Sequence, residues 1–212
     1  MLLSTIHEPL GGDKPLPIAR DCCSSVVFDI RRIPTRSFGT ASKSCRALRE
    51  RLPGVKTYVV GMDLPATIKA LAAEDLVIAG YVPDLTPYLT GCRLSVSPLR
   101  YGAGVKGKVS HAMSYGLPVV ATTPSIEGMQ LTPGVDVLVG DDPESFAGAV
   151  ARAYRDQELW NTLSEGGREN IRKHFSRDLA RSAVSRPHRA VARPQSPLTT
   201  ACNAAASAPL EQ

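Results

Sequence analysis

The chain has 212 residues, with 43% hydrophobic and 21% charged side chains, which leaves room for one full-sized soluble domain and too little for two large ones. Aromatics make up only 5%, so the core must rest on Val, Leu, Ile and Ala, and no apolar run approaches the roughly 20 residues that cross a bilayer. The net charge of +5 sits in the flanks, because residues 1–55 carry 9 basic and 5 acidic side chains, residues 56–175 carry 11 and 13, and residues 176–212 carry 5 and 2. A nucleic-acid binder concentrates basic charge on its folded face, so no nucleic-acid partner is expected.

The first 55 residues are irregular, broken by Pro9, Pro15, Pro17 and Pro34. Met1 to Glu8 has no basic n-region and only a stub of apolar sequence, so no signal peptide is expected and a cytoplasmic location is the default. Within this segment, residues 26–30 have strand character, and residues 41–51 helix character with Thr40 or Ser42 as cap.

From residue 56 the pattern alternates. Strands are expected over 56–61, 76–82, 93–98, 118–122 and 137–139. Helices are expected between them, over 65–73, from Asp84 to Leu89, and over 108–115, where Val109, Ala112 and Met113 fall at i, i+3 and i+4. Residues 143–175 read as two helices, opened by Asp142, Pro143 and Glu144. Strands and helices in this order predict an α/β fold, an open parallel sheet with helices on both faces. Residues 183–212 have no amphipathic period and are expected to be disordered.

The five cysteines, Cys22, Cys23, Cys45, Cys92 and Cys202, show no C-x-x-C spacing and have no nearby His, so free thiols and no metal site are expected. The stretch that points to chemistry is Pro98-Leu99-Arg100-Tyr101-Gly102-Ala103-Gly104-Val105-Lys106-Gly107-Lys108. It joins the carboxyl end of a strand to the start of a helix, where open parallel sheets bind ligands. Its three glycines let backbone N–H groups approach an anion, the helix N-terminus adds its dipole, and two lysines add charge. Its spacing is neither that of the dinucleotide fingerprint nor that of the P-loop. A phosphorylated ligand is the favoured reading; a plain turn with exposed lysines is the alternative.

Taken together, Gly80-Tyr81-Val82-Pro83-Asp84-Leu85, the loop from Pro98 to Lys108, Ala112-Met113-Ser114-Tyr115-Gly116-Leu117-Pro118-Val119-Val120-Ala121-Thr122 and Glu127-Gly128-Met129 resemble the carboxyl-terminal donor domain of family-4 glycosyltransferases of the GT-B fold. The resemblance covers roughly residues 46–178, leaving 1–45 as an unmatched amino-terminal segment and 179–212 as a tail. It implies a Rossmann-like GT-B half-domain that binds a nucleotide-diphosphate sugar for glycosyl transfer with retention, with no cofactor and no metal.

The resemblance also implies roles. The backbone of Val82 would face the nucleobase; Gly102, Ala103, Gly104 and Lys106 would line the diphosphate; and Lys108 would act as the catalytic cation on the departing phosphate. His111 stands where the family usually holds a ribose-binding Glu, and serves equally as an exposed helical residue. Glu127 reads as a border of the sugar site or as an ordinary loop carboxylate, Arg100 as a phosphate contact or a surface residue, and Asp84 as a helix cap rather than a base contact. Many members carry two glutamates eight positions apart, where this chain has Ala103 and His111; if its loop is two residues longer, Tyr101 takes the first place. The family's amino-terminal acceptor domain is not recognisable, so a truncated enzyme is expected, whose acceptor half would come from a separate domain or a membrane-peripheral partner. A binding module without catalysis and a nucleotide-sugar epimerase of the same fold are the alternatives.

Overall fold

The computed structural model describes residues 25–29, 38–62, 64, 66–101, 104–179 and 181. The strands among them are β1 (Ser25–Asp29), β2 (Lys56–Val60), β3 (Leu76–Gly80), β4 (Leu94–Ser97), β5 (Val119–Ala121) and β6 (Val137–Val139). The helices are α1 (Phe38–Arg51), α2 (Ala66–Lys69), α3 (Thr86–Gly91), α4 (Gly107–Ser114), α5 (Thr123–Ile126), α6 (Pro143–Arg155) and α7 (Gln157–His174). All strand pairs are parallel, in the order β3-β2-β1-β4-β5-β6.

Side chains of the strands from β2 to β6 divide between two cores, as in parallel sheets covered on both faces. Val59, Leu94, Val96, Val120 and Leu138 pack with Leu48 of α1, Leu52 just beyond it, and Phe146 and Val150 of α6. Val60, Val119, Ala121 and Val137 face the other way, onto Leu89 of α3, Val109 and Met113 of α4, and Ile171 of α7. The expected α/β sheet with helices on both faces is therefore present, with one strand more than the five expected from residue 56 onward.

The additional strand is central. β1 lies inside the segment expected to be irregular, and it pairs with β2 on one side and β4 on the other. Val26, Val27 and Phe28 have strand propensity but little local context, and pairing on both edges outweighs the irregular flanks. Likewise α1 begins at Phe38, so Thr40 and Ser42 lie within the helix rather than at its cap. The helix expected over 65–73 shortens to α2 because Ala73 turns back and exchanges backbone hydrogen bonds with Leu76 at 3.1 Å in each direction. The one-turn helix α5 was not expected. The predicted start at Asp142 is a full capping box, in which the side chain accepts from Glu144 N and Ser145 N, both at 3.0 Å. The expected disorder of 183–212 lies outside the described residues.

Because all strands run the same way, their carboxyl ends share one edge of the sheet. The chain order reverses where β1 meets β4, and such a switch point is where open parallel sheets bind ligands.

Candidate functional site

β4 delivers the chain to this edge, and Pro98 stops the ladder there because it has no N–H. Side-chain hydroxyls then take over. Leu99 N–H donates to Ser125 Oγ at 3.3 Å, Ser125 donates to the Ser97 carbonyl at 2.5 Å, and Thr122 donates to the Leu99 carbonyl. All three hydroxyl residues are buried. The start of the glycine-lysine loop is therefore held on both sides of the proline.

At its far end the loop enters α4. Gly104 takes a left-handed backbone, φ +74°, in open space, so its glycine serves conformation rather than close packing. Lys106 is the N-cap of α4, and no side chain caps this helix. The Lys106 ammonium donates to Gly104 O at 2.5 Å, and the residue is only 9% exposed. Lys108 is half-buried in the first turn of α4, and Arg100 is exposed on the approach. Gly102 and Ala103 lie outside the described residues. An α-helix N-terminus with no side-chain cap, reached through a glycine and flanked by cations, is suited to an anion.

The other expected residues reach this junction through named contacts. His111 lies half-buried on α4, its ring 5.3 Å from that of Tyr115 and edge-on to it. The Tyr115 hydroxyl is 3.2 Å from Thr86 Oγ1, and Thr86 N–H donates to Asp84 Oδ1 at 2.9 Å. This chain of contacts ties α4 to the loop that carries the half-buried Val82. Asp84, expected as the cap of α3, stands one residue before the N-cap Leu85, yet it accepts from the Thr86 N–H, and that backbone bond holds its carboxyl below the usual carboxylate range.

Glu127 is exposed in the turn that follows α5, ahead of Gly128 at φ +78°. Asn170 of α7 anchors this turn from below, donating to Gln130 O at 2.9 Å, while Met129 is buried beneath it.

Sequence reading missed Ser97, Thr122, Ser125, Tyr115 and Asn170, whose distant partners lie 23 to 41 residues away. Pro98 was the one available signal, since a proline at a strand end leaves backbone groups that need side-chain partners. Also unforeseen is a cavity of about 620 Å³ at the carboxyl ends of β2 and β3, lined by Gly61, Met62, Lys69, Gly80 and Tyr81 among others. It lies beside Val82 along the chain. Among the described residues no cluster of three or more His, Cys, Asp or Glu is placed to hold a metal ion, and no helix is long and apolar enough to cross a membrane.

A six-stranded parallel sheet in this order, with a glycine-lysine loop at the switch point, defines a Rossmann-like α/β domain. Residues 32–156 match the family described as glycosyl transferases group 1, and the chain belongs to that family. No curated protein matches it. Among solved structures, it is similar to a variant of S. aureus TarM in complex with fondaparinux, alpha-GlcNAc-glycerol and UDP, with a TM-score of 0.71 at 16% identity over 84% of this chain and 37% of TarM. Anabaena HepE in complex with UDP gives a TM-score of 0.63 at 17% identity over 77% of this chain and 49% of HepE. The C-terminal domain of LpcC, a glycosyl transferase group 1 protein from Francisella tularensis, gives 0.62 at 12% identity, over 72% of this chain and 86% of that domain. At these identities the likeness is one of fold. The chain spans well under two thirds of TarM and HepE and most of the LpcC domain.

Proposed function

We propose that this chain is the donor-binding half of a retaining, family-4-type glycosyltransferase. A nucleoside diphosphate sugar lies at the switch point, with its diphosphate against Gly104 and the first turn of α4. The observation that carries the reading is the α4 N-terminus, uncapped by any side chain and entered through left-handed Gly104 at the carboxyl end of β4. Two similar proteins have such ligands in their structures, UDP in HepE and TarM and UDP-glucose in HepE.

In this reading Lys108 stabilises the negative charge that builds on the departing diphosphate as the anomeric C–O bond breaks. The acceptor oxygen forms the new bond on the same face of the sugar, and its proton leaves with the diphosphate or to solvent. Val82 and the cavity beside β3 receive the nucleobase, His111 contacts the ribose, and Glu127 borders the sugar. Lys106 shapes the loop from within, and Arg100 meets the outer phosphate oxygens. The acceptor wall comes from a second half, in a longer chain or a separate partner.

Ala103 and His111, standing where the resemblance expects carboxylates, favour one second reading, a module that binds a nucleotide sugar without transferring it. Thermal unfolding with UDP, GDP, ADP and their glucose derivatives tests the shared part. A ligand at a hundred times its Kd adds about 2.7 kcal/mol of stability. At least one diphosphate should raise the Tm, and the corresponding nucleoside should not. Equal, negligible shifts for all would overturn both readings.

A further inference from the structure

The hydroxyl cluster beneath the loop does more than fill space. Backbone pairing between β4 and β5 ends with Thr122 N–H donating to Ser97 O at 3.2 Å. Pro98 has no N–H to offer, so the next two backbone groups that could hold the chain are the N–H and carbonyl of Leu99. Ser125 takes the first and Thr122 the second. Ser125 also donates back to the carbonyl of Ser97 and accepts from the Ser97 hydroxyl at 3.2 Å, and the Thr122 and Ser125 oxygens are 3.0 Å apart.

Every hydroxyl has one proton, and each has a buried acceptor. The network thus satisfies both backbone groups of Leu99 in the direction in which the loop departs from β4. Thr122 is the N-cap of α5 and Ser125 lies within it, and the residue that follows Ile126 is Glu127. The same two side chains therefore hold the start of the loop running to Lys108 and the base of the turn carrying Glu127.

We propose that Thr122 and Ser125 are positioning residues that fix the departure angle of the glycine-lysine loop and lock it to the Glu127 turn, so that the two walls of the site move as one body. The proposal deepens the diphosphate reading and rests on it for its effect on binding. Neither residue touches the ligand; both act through Leu99.

The test compares Thr122→Val, which removes the hydroxyl at nearly constant shape, with Thr122→Ser, which keeps it, and adds Ser125→Ala. Two measurements are made on the full chain: amide hydrogen exchange without ligand, and calorimetric titration with UDP and with uridine. Thr122→Val and Ser125→Ala should speed exchange over 99–108 and 126–130 together while the α6 amides hold. They should weaken UDP about tenfold more than uridine, since each leaves a buried backbone group without a partner. Thr122→Ser should restore both properties. Faster exchange in one wall only, or in neither, overturns the coupling; faster exchange in both with unchanged UDP affinity overturns the positioning role. If the parent chain binds none of UDP, GDP and ADP, the donor reading fails on that result, and the exchange pattern alone still decides the coupling.

Discussion

The ammonium of Lys106 donates to the carbonyl of Gly104, two residues earlier, at 2.5 Å. The bond closes a small ring around the residue whose left-handed backbone turns the loop into α4, and it separates the work of two lysines that look alike in sequence. Lys106 is buried and braces the loop, whereas Lys108 lies one position into the helix and is half-buried.

The two should therefore fail differently when replaced. Lys108→Ala is expected to weaken UDP binding ten- to a hundredfold, since a charged contact contributes about 1.5–3 kcal/mol. The deficit should narrow at high salt, where the parent's advantage is already screened. The cost of Lys108→Ala in folding stability should be smaller than that of Lys106→Ala, because Lys106 is the more deeply buried of the two. Lys106→Ala is expected to lower stability by about 1–2 kcal/mol through lost packing and a lost loop bond. Calorimetric titration at two salt concentrations, paired with urea unfolding, separates them; equal profiles for the two variants would refute the division.

Gly116 is expected to tolerate no side chain. Its backbone sits at φ +70°, and a Cβ there would lie 2.1 Å from Arg168 Nε. Ser164 also holds its carbonyl at 2.6 Å, so the turn between α4 and β5 cannot drift away from α7. Gly116→Ala should cost about 1–3 kcal/mol, read by urea unfolding. A change under about 0.5 kcal/mol would show that the turn relaxes freely.

Acid stability should carry the mark of Asp75. The Arg49 guanidinium, bonded to both of its carboxylate oxygens, holds this carboxyl below the usual carboxylate range and ties α1 to the turn before β3. A carboxyl lowered on folding stabilises the protein above its unfolded-state pKa, and the benefit disappears as pH falls through the folded value. Both side chains remain partly exposed, so Asp75→Asn should cost only about 0.5–1 kcal/mol at pH 7. The parent and the variant should converge as pH falls through the lowered folded-state value. Urea midpoints across pH test this; a difference that persists undiminished into acid would point to packing rather than charge.

Sugar transfer to an external acceptor is expected to be absent from the purified 212-residue chain, with slow donor hydrolysis the most it can do. A chromatographic assay with UDP-glucose and a panel of acceptors reads this directly. Robust acceptor-dependent turnover would show that no second half is required.

How much of this was legible in the sequence follows from the range of each interaction. β2 to β6 were readable because their Val- and Leu-rich runs are bounded by Gly and Pro. α6 was readable because Asp142, Pro143 and Ser145 form its start locally. β1 was noted only as a stretch of strand character, since its place at the centre of the sheet depends on pairing with β2 and β4, 31 and 68 residues away in its register. α2 and α5 are single turns, too short to show a period. The glycines and lysines that motivate a diphosphate site at the 98–108 loop were plain in the sequence. The hydroxyls that aim it were not, because Ser97, Thr122 and Ser125 meet only after β4 and β5 have paired.

The most direct test of the central claim is a backbone amide NMR titration of the full chain with UDP, and with GDP and ADP in parallel. Binding at the switch point should move the amides of Leu99, Gly104, Gly107 and Lys108 with one of these ligands, while the distant α6–α7 turn around Asp156 stays in place. Saturating shifts that map elsewhere, or none with any of the three diphosphates, would contradict a diphosphate site at the α4 N-terminus.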